Sequence, residues 1–250
     1  MSQPFRLNKE GLINRNKKIS FTFNGKKLFG YEGDTIASAL IANGIHLVGR
    51  SFKYHRPRGF FGAGVEEPNA KLQVEFNGHS EPNVNATEME LVEGLSATSQ
   101  NCWPSVNFDI GAINNFLKMF FPAGFYYKTF MWPKSFWYKI YEPFIRKAAG
   151  LGVASIEKDK ERYEHKFEYC DLLVTGSGPS GLASAYAAAK NGAKVILAED
   201  KPRFGGTLLT DDVSIDNLSG KDWAEKIISE LKSMPNVCLL YTSPSPRDPE

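Results

Sequence analysis

Apolar and polar positions alternate over residues 19–23, stop at Asn24-Gly25, and the pattern returns over residues 26–31. Alternation with period two marks half-buried strands, and Asn-Gly supplies the backbone of a two-residue turn, so a β-hairpin is predicted. Gly33-Asp34-Thr35 then caps a helix over residues 36–43, which Gly44 ends. Residues 45–48 are apolar again, and residues 72–76 read as a further strand before Asn77-Gly78. The order ββα-loop-β within about 80 residues predicts a small α+β domain with a mixed sheet.

A different pattern occupies residues 171–240. A short apolar run at 171–175 ends on glycine and reads as a buried strand. Leu182, Ala185, Tyr186 and Ala189 follow at helical spacing, with Asn191-Gly192 as the stop. Residues 195–198 form a second apolar run that ends at Glu199. After Ser219-Gly220, Trp223, Ile227 and Leu231 share one helix face, and residues 237–240 would be a third strand. Strand, helix, strand, helix, strand predicts a βαβ crossover series.

The glycines between the first strand and helix read Gly176-Ser-Gly-Pro-Ser-Gly181. In G-x-G-x-x-G the first glycine permits the tight turn, the second lets the backbone approach a pyrophosphate, and the third lets helix and strand pack closely. The helix start adds N–H groups and a positive dipole end. Glu199 stands 23 residues after Gly176, where a carboxylate accepts from a ribose 2′-hydroxyl. The candidate nucleotide-binding residues are Gly176, Ser177, Gly178, Pro179, Ser180, Gly181, Glu199, Asp200, Lys201, Arg203, Gly205, Gly206 and Thr207. The glycines do not separate NAD from FAD. No residue is assigned a catalytic role.

Composition narrows the classes. Net charge is +2 in 250 residues, which gives no strong pull toward nucleic acid. Three cysteines, Cys102, Cys170 and Cys238, lie far apart, in neither a disulfide nor a zinc pattern, and fit a reducing compartment. No signal core opens the chain and no apolar run reaches membrane-spanning length, so a cytoplasmic protein without membrane contact is expected. His46, His55 and His79 are irregularly spaced and read as solvated or core side chains rather than ligands. The basic loop with Lys53, His55, Arg56 and Arg58 reads either as a contact for an anion or partner or as a solvated loop. Fifteen of the 32 aromatic residues lie in residues 103–145, interrupted by four prolines. Such a segment is expected to pack between domains or against another subunit.

The expected organisation is an arm over 1–18, an α+β domain over 19–102, an aromatic connecting segment over 103–168 and the opening of a dinucleotide-binding domain over 169–240. Residues 241–250 carry three prolines and read as non-native, so the chain is expected to be a fragment of a longer one.

Residues 19–102 resemble the plant-type [2Fe–2S] ferredoxin, or β-grasp, fold. In cluster-binding members the glycine-containing loop before a strand carries C-x4-C-x2-C. Here residues 53–64 contain no cysteine, so the domain is expected to lack its cluster. The fold class is therefore α/β: an incomplete Rossmann-like FAD/NAD(P)-binding unit preceded by an α+β ferredoxin-like domain. Together with Ser51-Phe-Lys-Tyr-His-Arg-Pro-Arg-Gly59, the segment from Pro122 to Pro133, the glycine loop, Glu199 and Gly205-Gly206, the chain resembles the α-subunit family of heterotetrameric sarcosine oxidases. The resemblance implies oxidative demethylation of sarcosine to glycine, formaldehyde passed to tetrahydrofolate, and peroxide formed. It implies NAD in this domain, flavins (FMN and FAD) and the amine site largely in a β subunit, and β, γ and δ partners. Two alternatives stay open. One is an FAD-binding amine dehydrogenase or disulfide-reductase-like flavoprotein. The other is a non-catalytic scaffold that docks partners through the aromatic segment.

Overall fold

The computed structural model describes residues 3–9, 13–120, 124, 130–150, 152–157, 165, 167–201 and 203–241. The chain divides into two units, residues 1–160 and 161–250.

In the first unit, β1 (Asn14–Phe23) and β2 (Lys26–Glu32) form the predicted hairpin, with Asn24 and Gly25 both at positive φ. β1 starts inside the stretch expected to be an arm. Lys17 and Asn14 reach Glu32 across the hairpin, and a bulge between Asn14 and Lys18 absorbs the change of register. α1 (Ile36–Ala42) begins at a capping box, in which Thr35 and Ser38 satisfy each other's backbone N–H. Short strands β3 (Gly49–Arg50) and β4 (Pro57–Arg58) pair within the following loop. β5 (Lys71–Phe76), β6 (His79–Asn85) and β7 (Ser96–Ser99) complete a five-stranded sheet in the order β2-β1-β7-β5-β6. The β1–β7 pairing is parallel and the others antiparallel, which gives the mixed sheet expected.

Phe21, Ile36, Leu40, Leu72, Leu91 and Leu95 are the largest fully buried side chains of that core. Beside it lies a buried ion pair: Arg6 donates to both oxygens of Asp34, at 3.1 and 2.6 Å, and the Tyr31 N–H and Ser38 hydroxyl complete the carboxylate's partners. The N-terminal stretch is thereby tied to the start of α1.

After residue 102 the described chain runs through short 3-10 turns, one π-helical turn at Trp137–Tyr141 and α2 (Glu142–Ala149). Prolines interrupt this stretch, and its described helices are short. Phe116, Met119, Trp132 and Tyr138 are each more than four-fifths exposed. Much of the Pro122–Pro133 segment, and residues 242–250, lie outside the described residues.

The second unit is a three-stranded parallel sheet in the order β12-β9-β8, from β8 (Leu172–Thr175), β9 (Val195–Glu199) and β12 (Val237–Tyr241). α3 (Pro179–Lys190) and α4 (Gly220–Ser233) bury Leu182, Ala185, Trp223, Ile227 and Leu231 against Val174, Val195 and Leu197. Both helices thus cover one face, as a right-handed β-α-β-α-β series requires. Ser219 caps α4 by accepting from the Asp222 N–H. A small hairpin, β10 (Ser214–Ile215) and β11 (Leu218–Ser219), turns at Asp216-Asn217, both at positive φ. Among the described residues no helix is long and apolar enough to cross a membrane.

Candidate dinucleotide site

β8 delivers its last residue, Thr175, to a turn that opens directly into α3. Gly176 has φ +87°, a backbone that side chains with a Cβ resist, and its N–H bonds to the Ala198 carbonyl of β9 at 2.8 Å. At Gly181 a Cβ would stand 2.0 Å from the Gly176 carbonyl oxygen, so the helix and turn close only on glycine. Gly178 differs from both. Its φ of −64° is open to any residue, and a Cβ there would meet nothing within 4 Å. Neither backbone nor packing demands glycine at 178. The first turn of α3 has Pro179 in place, and no side chain caps it, which leaves N–H groups free of a side-chain acceptor.

Glu199 ends β9 beside this turn. One carboxylate oxygen accepts from the Ser177 backbone N–H at 2.7 Å and from the Ser177 hydroxyl. The other accepts from the Lys201 N–H at 3.2 Å. The carboxylate therefore fixes the loop, and its unused lone pairs are what a ribose hydroxyl would share. Burial pushes the Glu199 carboxyl up, but the Ser177 and Asp200 hydrogen bonds and the Lys201 N–H outweigh burial and hold it below its ordinary range. Asp200 moves the other way, raised first by its hydrogen bond to Glu199, then by burial and the neighbouring charge.

Ser177 is fully buried and links a third strip of chain. Its carbonyl and hydroxyl oxygens both accept from the Gly205 N–H, at 3.1 and 3.0 Å. Gly206, at φ +53°, lies so close that a Cβ would come 2.9 Å from the Gly178 Cα. The structure thus assembles the loop from Gly176 to Gly181, Glu199, Gly205 and Gly206. Thr207 stands exposed on the 3-10 turn Gly206–Leu209, Arg203 is exposed, and Lys201 contributes its backbone N–H. Two contributors carried no separate signal in the sequence. The double role of Ser177 follows from an unspecified x of the motif. Phe204, buried among the core residues, holds the Gly205 turn down.

Residues 171–233 match the FAD dependent oxidoreductase family, and residues 16–102 match the 2Fe-2S iron-sulfur cluster binding domain family. Sarcosine oxidase subunit alpha of Rhizobium meliloti (strain 1021) is 57% identical over 236 residues, covering 94% of this chain. The chain is homologous to sarcosine oxidase subunit alpha. The same subunit of Corynebacterium sp. (strain U-96) is 31% identical over 92% of the chain. This chain spans 24% of the Rhizobium subunit and 20% of the Corynebacterium one. Among solved structures, L-proline dehydrogenase from P. horikoshii superposes with a TM-score of 0.52 at 19% identity, covering 96% of this chain and 35% of that one, a likeness of fold. The ferredoxin-like domain followed by a Rossmann-like unit is the architecture found.

The donor set of the first unit does not fit an iron–sulfur cluster. The matched residues 16–102 contain one cysteine, Cys102, where a [2Fe–2S] centre takes four thiolates. The loop is organised around a carboxylate instead. Glu67, 1% exposed, accepts from the Phe61 and Gly62 N–H groups, each at 2.5 Å, and from the Asn69 and Ala70 N–H groups at 2.7 and 3.1 Å. Burial pushes this carboxyl up, yet the four backbone donors together hold it below its ordinary range. His55 is a core histidine, its Nδ1 2.7 Å from Asp109.

Proposed function

We infer that this chain supplies the dinucleotide-binding unit of an amine-oxidising, sarcosine oxidase-type assembly. The observation that supports it best is Gly178. The fold leaves a bare Cα at the mouth of a helix N-terminus, where the fold itself does not need glycine. A pyrophosphate does need it, because its oxygens must reach backbone N–H groups.

In this reading the turn from Gly176 to Gly181 binds the pyrophosphate, Glu199 shares a lone pair with the adenosine ribose, and Gly205, Gly206 and Thr207 line the approach. Asp200, Lys201 and Arg203 border the ribose. The ligand is NAD, with FAD the alternative that the FAD dependent oxidoreductase match supports. Either supplies a hydride acceptor when bound. The chain's residues hold and orient it.

The assembly's proposed reaction is the oxidation of sarcosine to glycine with transfer of the one-carbon unit to tetrahydrofolate and formation of peroxide. It would take place in the cytoplasm with β, γ and δ subunits. The exposed Phe116, Met119, Trp132 and Tyr138 supply apolar area of the kind such contacts use. The first unit would bind no cluster, because its loop over residues 53–64 offers no thiolate. Heat release of the nucleotide from the purified full-length protein, followed by mass spectrometry, tests the reading. NAD is expected; FAD favours the flavoprotein alternative; no nucleotide refutes both.

A further inference from the structure

We propose that Glu67 is a built-in anion that takes the place of a metal centre in the first unit, closing the loop before β5 with a tethered carboxylate where the fold family uses thiolates. Residues 16–102 match an iron–sulfur cluster binding family, whose plant-type motif spaces its first three cysteines C-x4-C-x2-C. At that spacing, directly before β5, stand Gly62, Glu67 and Ala70. None of the three carries a thiol.

Spacing alone would be weak, but the hydrogen bonds join the same three positions. One Glu67 oxygen accepts from the Gly62 and Phe61 N–H groups, and the other from the Ala70 and Asn69 N–H groups. The middle position of the motif thus binds the backbone of both outer ones. A carboxylate offers about four lone-pair sites, and all are taken, so none is left for a metal. Among the described residues no group of three or more His, Cys, Asp or Glu is placed to hold one. Nor does any described cation pair with Glu67: peptide N–H groups alone offset its burial.

The surrounding loop is anchored to receive this charge. The Thr87 hydroxyl donates to the Gly64 carbonyl at 2.8 Å, and the Ala70 carbonyl accepts from the Ala86 N–H at 2.9 Å. Phe61, Glu66 and Pro68 are exposed, so the carboxylate lies beneath a single layer of chain. A tethered carboxylate takes up no electron, so the unit acts as a structural module and relays none. Its removal should leave a vacant site of carboxylate size and charge preference.

The test is Glu67→Ala in the full-length protein, read by deuterium exchange of residues 60–70 with mass spectrometry. The alanine Cβ and an acetate ion together supply the carbons and oxygens of a glutamate side chain. Exchange in the variant should be at least about tenfold faster than in wild type. Acetate should restore protection saturably, measured against chloride at the same pH and ionic strength. Acetamide, of the same shape without the charge, should not. Glu67→Gln should not respond to acetate, because its amide fills the space, and neither should Glu66→Ala, which removes an exposed carboxylate of the same loop. Unchanged exchange in Glu67→Ala, no rescue by acetate, or equal rescue by acetamide overturns the proposal. Wild-type protein gives a test that needs no folded variant: its loop should exchange at least about a hundredfold slower than free peptide, and a loop as open as free peptide overturns the proposal too.

Discussion

Glu199 holds Ser177 by both its backbone N–H, at 2.7 Å, and its hydroxyl, so the end of β9 fixes the glycine turn before any ligand arrives. Ser177→Ala removes one donor to Glu199 and the hydroxyl that accepts from Gly205. A cost of about 1–2 kcal/mol is expected, together with weaker nucleotide retention because the Gly205 strip loosens. Urea midpoints of wild type and variant check the first effect, and nucleotide content after gel filtration checks the second.

The three glycines of the turn should separate by experiment as they do in space. Gly181→Ala puts a Cβ 2.0 Å from the Gly176 carbonyl oxygen, so the second unit should lose at least about 3 kcal/mol or fail to fold. Gly178→Ala should cost less than about 1 kcal/mol, the difference between glycine and alanine at the N-cap of α3, since the backbone there is ordinary and the space open. Thermal unfolding of the two variants, side by side, measures the difference.

Glu67 makes the first unit acid-sensitive. Its folded pKa is depressed, so the stability it contributes is complete above the ordinary glutamate value of 4.5 and is lost as pH falls through the lower folded value. Glu67→Gln puts an amide NH₂ where two backbone N–H groups point, and about 3 kcal/mol should be lost at neutral pH. The gap between wild type and variant should narrow as pH drops below 4.5. Urea unfolding at several pH values gives the curve.

Two ion pairs of the same unit should contribute unequally. Arg6→Ala leaves Asp34 buried without its cation and should cost about 3 kcal/mol. Lys17→Ala breaks an exposed pair with Glu32 and should cost less than about 1 kcal/mol. The two urea midpoints decide the order.

Iron analysis after anaerobic reconstitution should find no stoichiometric iron or sulfide in the first unit. The loop around Glu67 has no thiolate to offer, so a stoichiometric cluster would contradict that reading.

The sequence carried the parts of the fold whose residues advertise their backbone. Asn24-Gly25, the Thr35 cap, Gly176 and the apolar runs at β8, β9 and β12 each name their own conformation. β7 stayed hidden because Ser96-Ala-Thr-Ser99 has small polar side chains, although it sits between β1 and β5 in the sheet. β6 stayed hidden because it is an edge strand carrying Pro82, whose missing N–H only an edge tolerates. The β10–β11 hairpin is too short for periodicity to show. At the site, the glycines and Glu199 were legible from spacing. The Ser177 clasp was not, because it depends on two strips of chain 28 residues apart meeting in space.

The central claim is that Gly178 is glycine for the ligand's sake. The decisive measurement is the nucleotide content of the full-length Gly178→Val protein, purified alongside wild type and quantified by mass spectrometry after heat release. The account predicts stoichiometric nucleotide in the wild type and nearly none in the variant, with the variant still folded and melting within a few degrees of wild type stripped of ligand. A Gly178→Val protein that retains its nucleotide in full would contradict it.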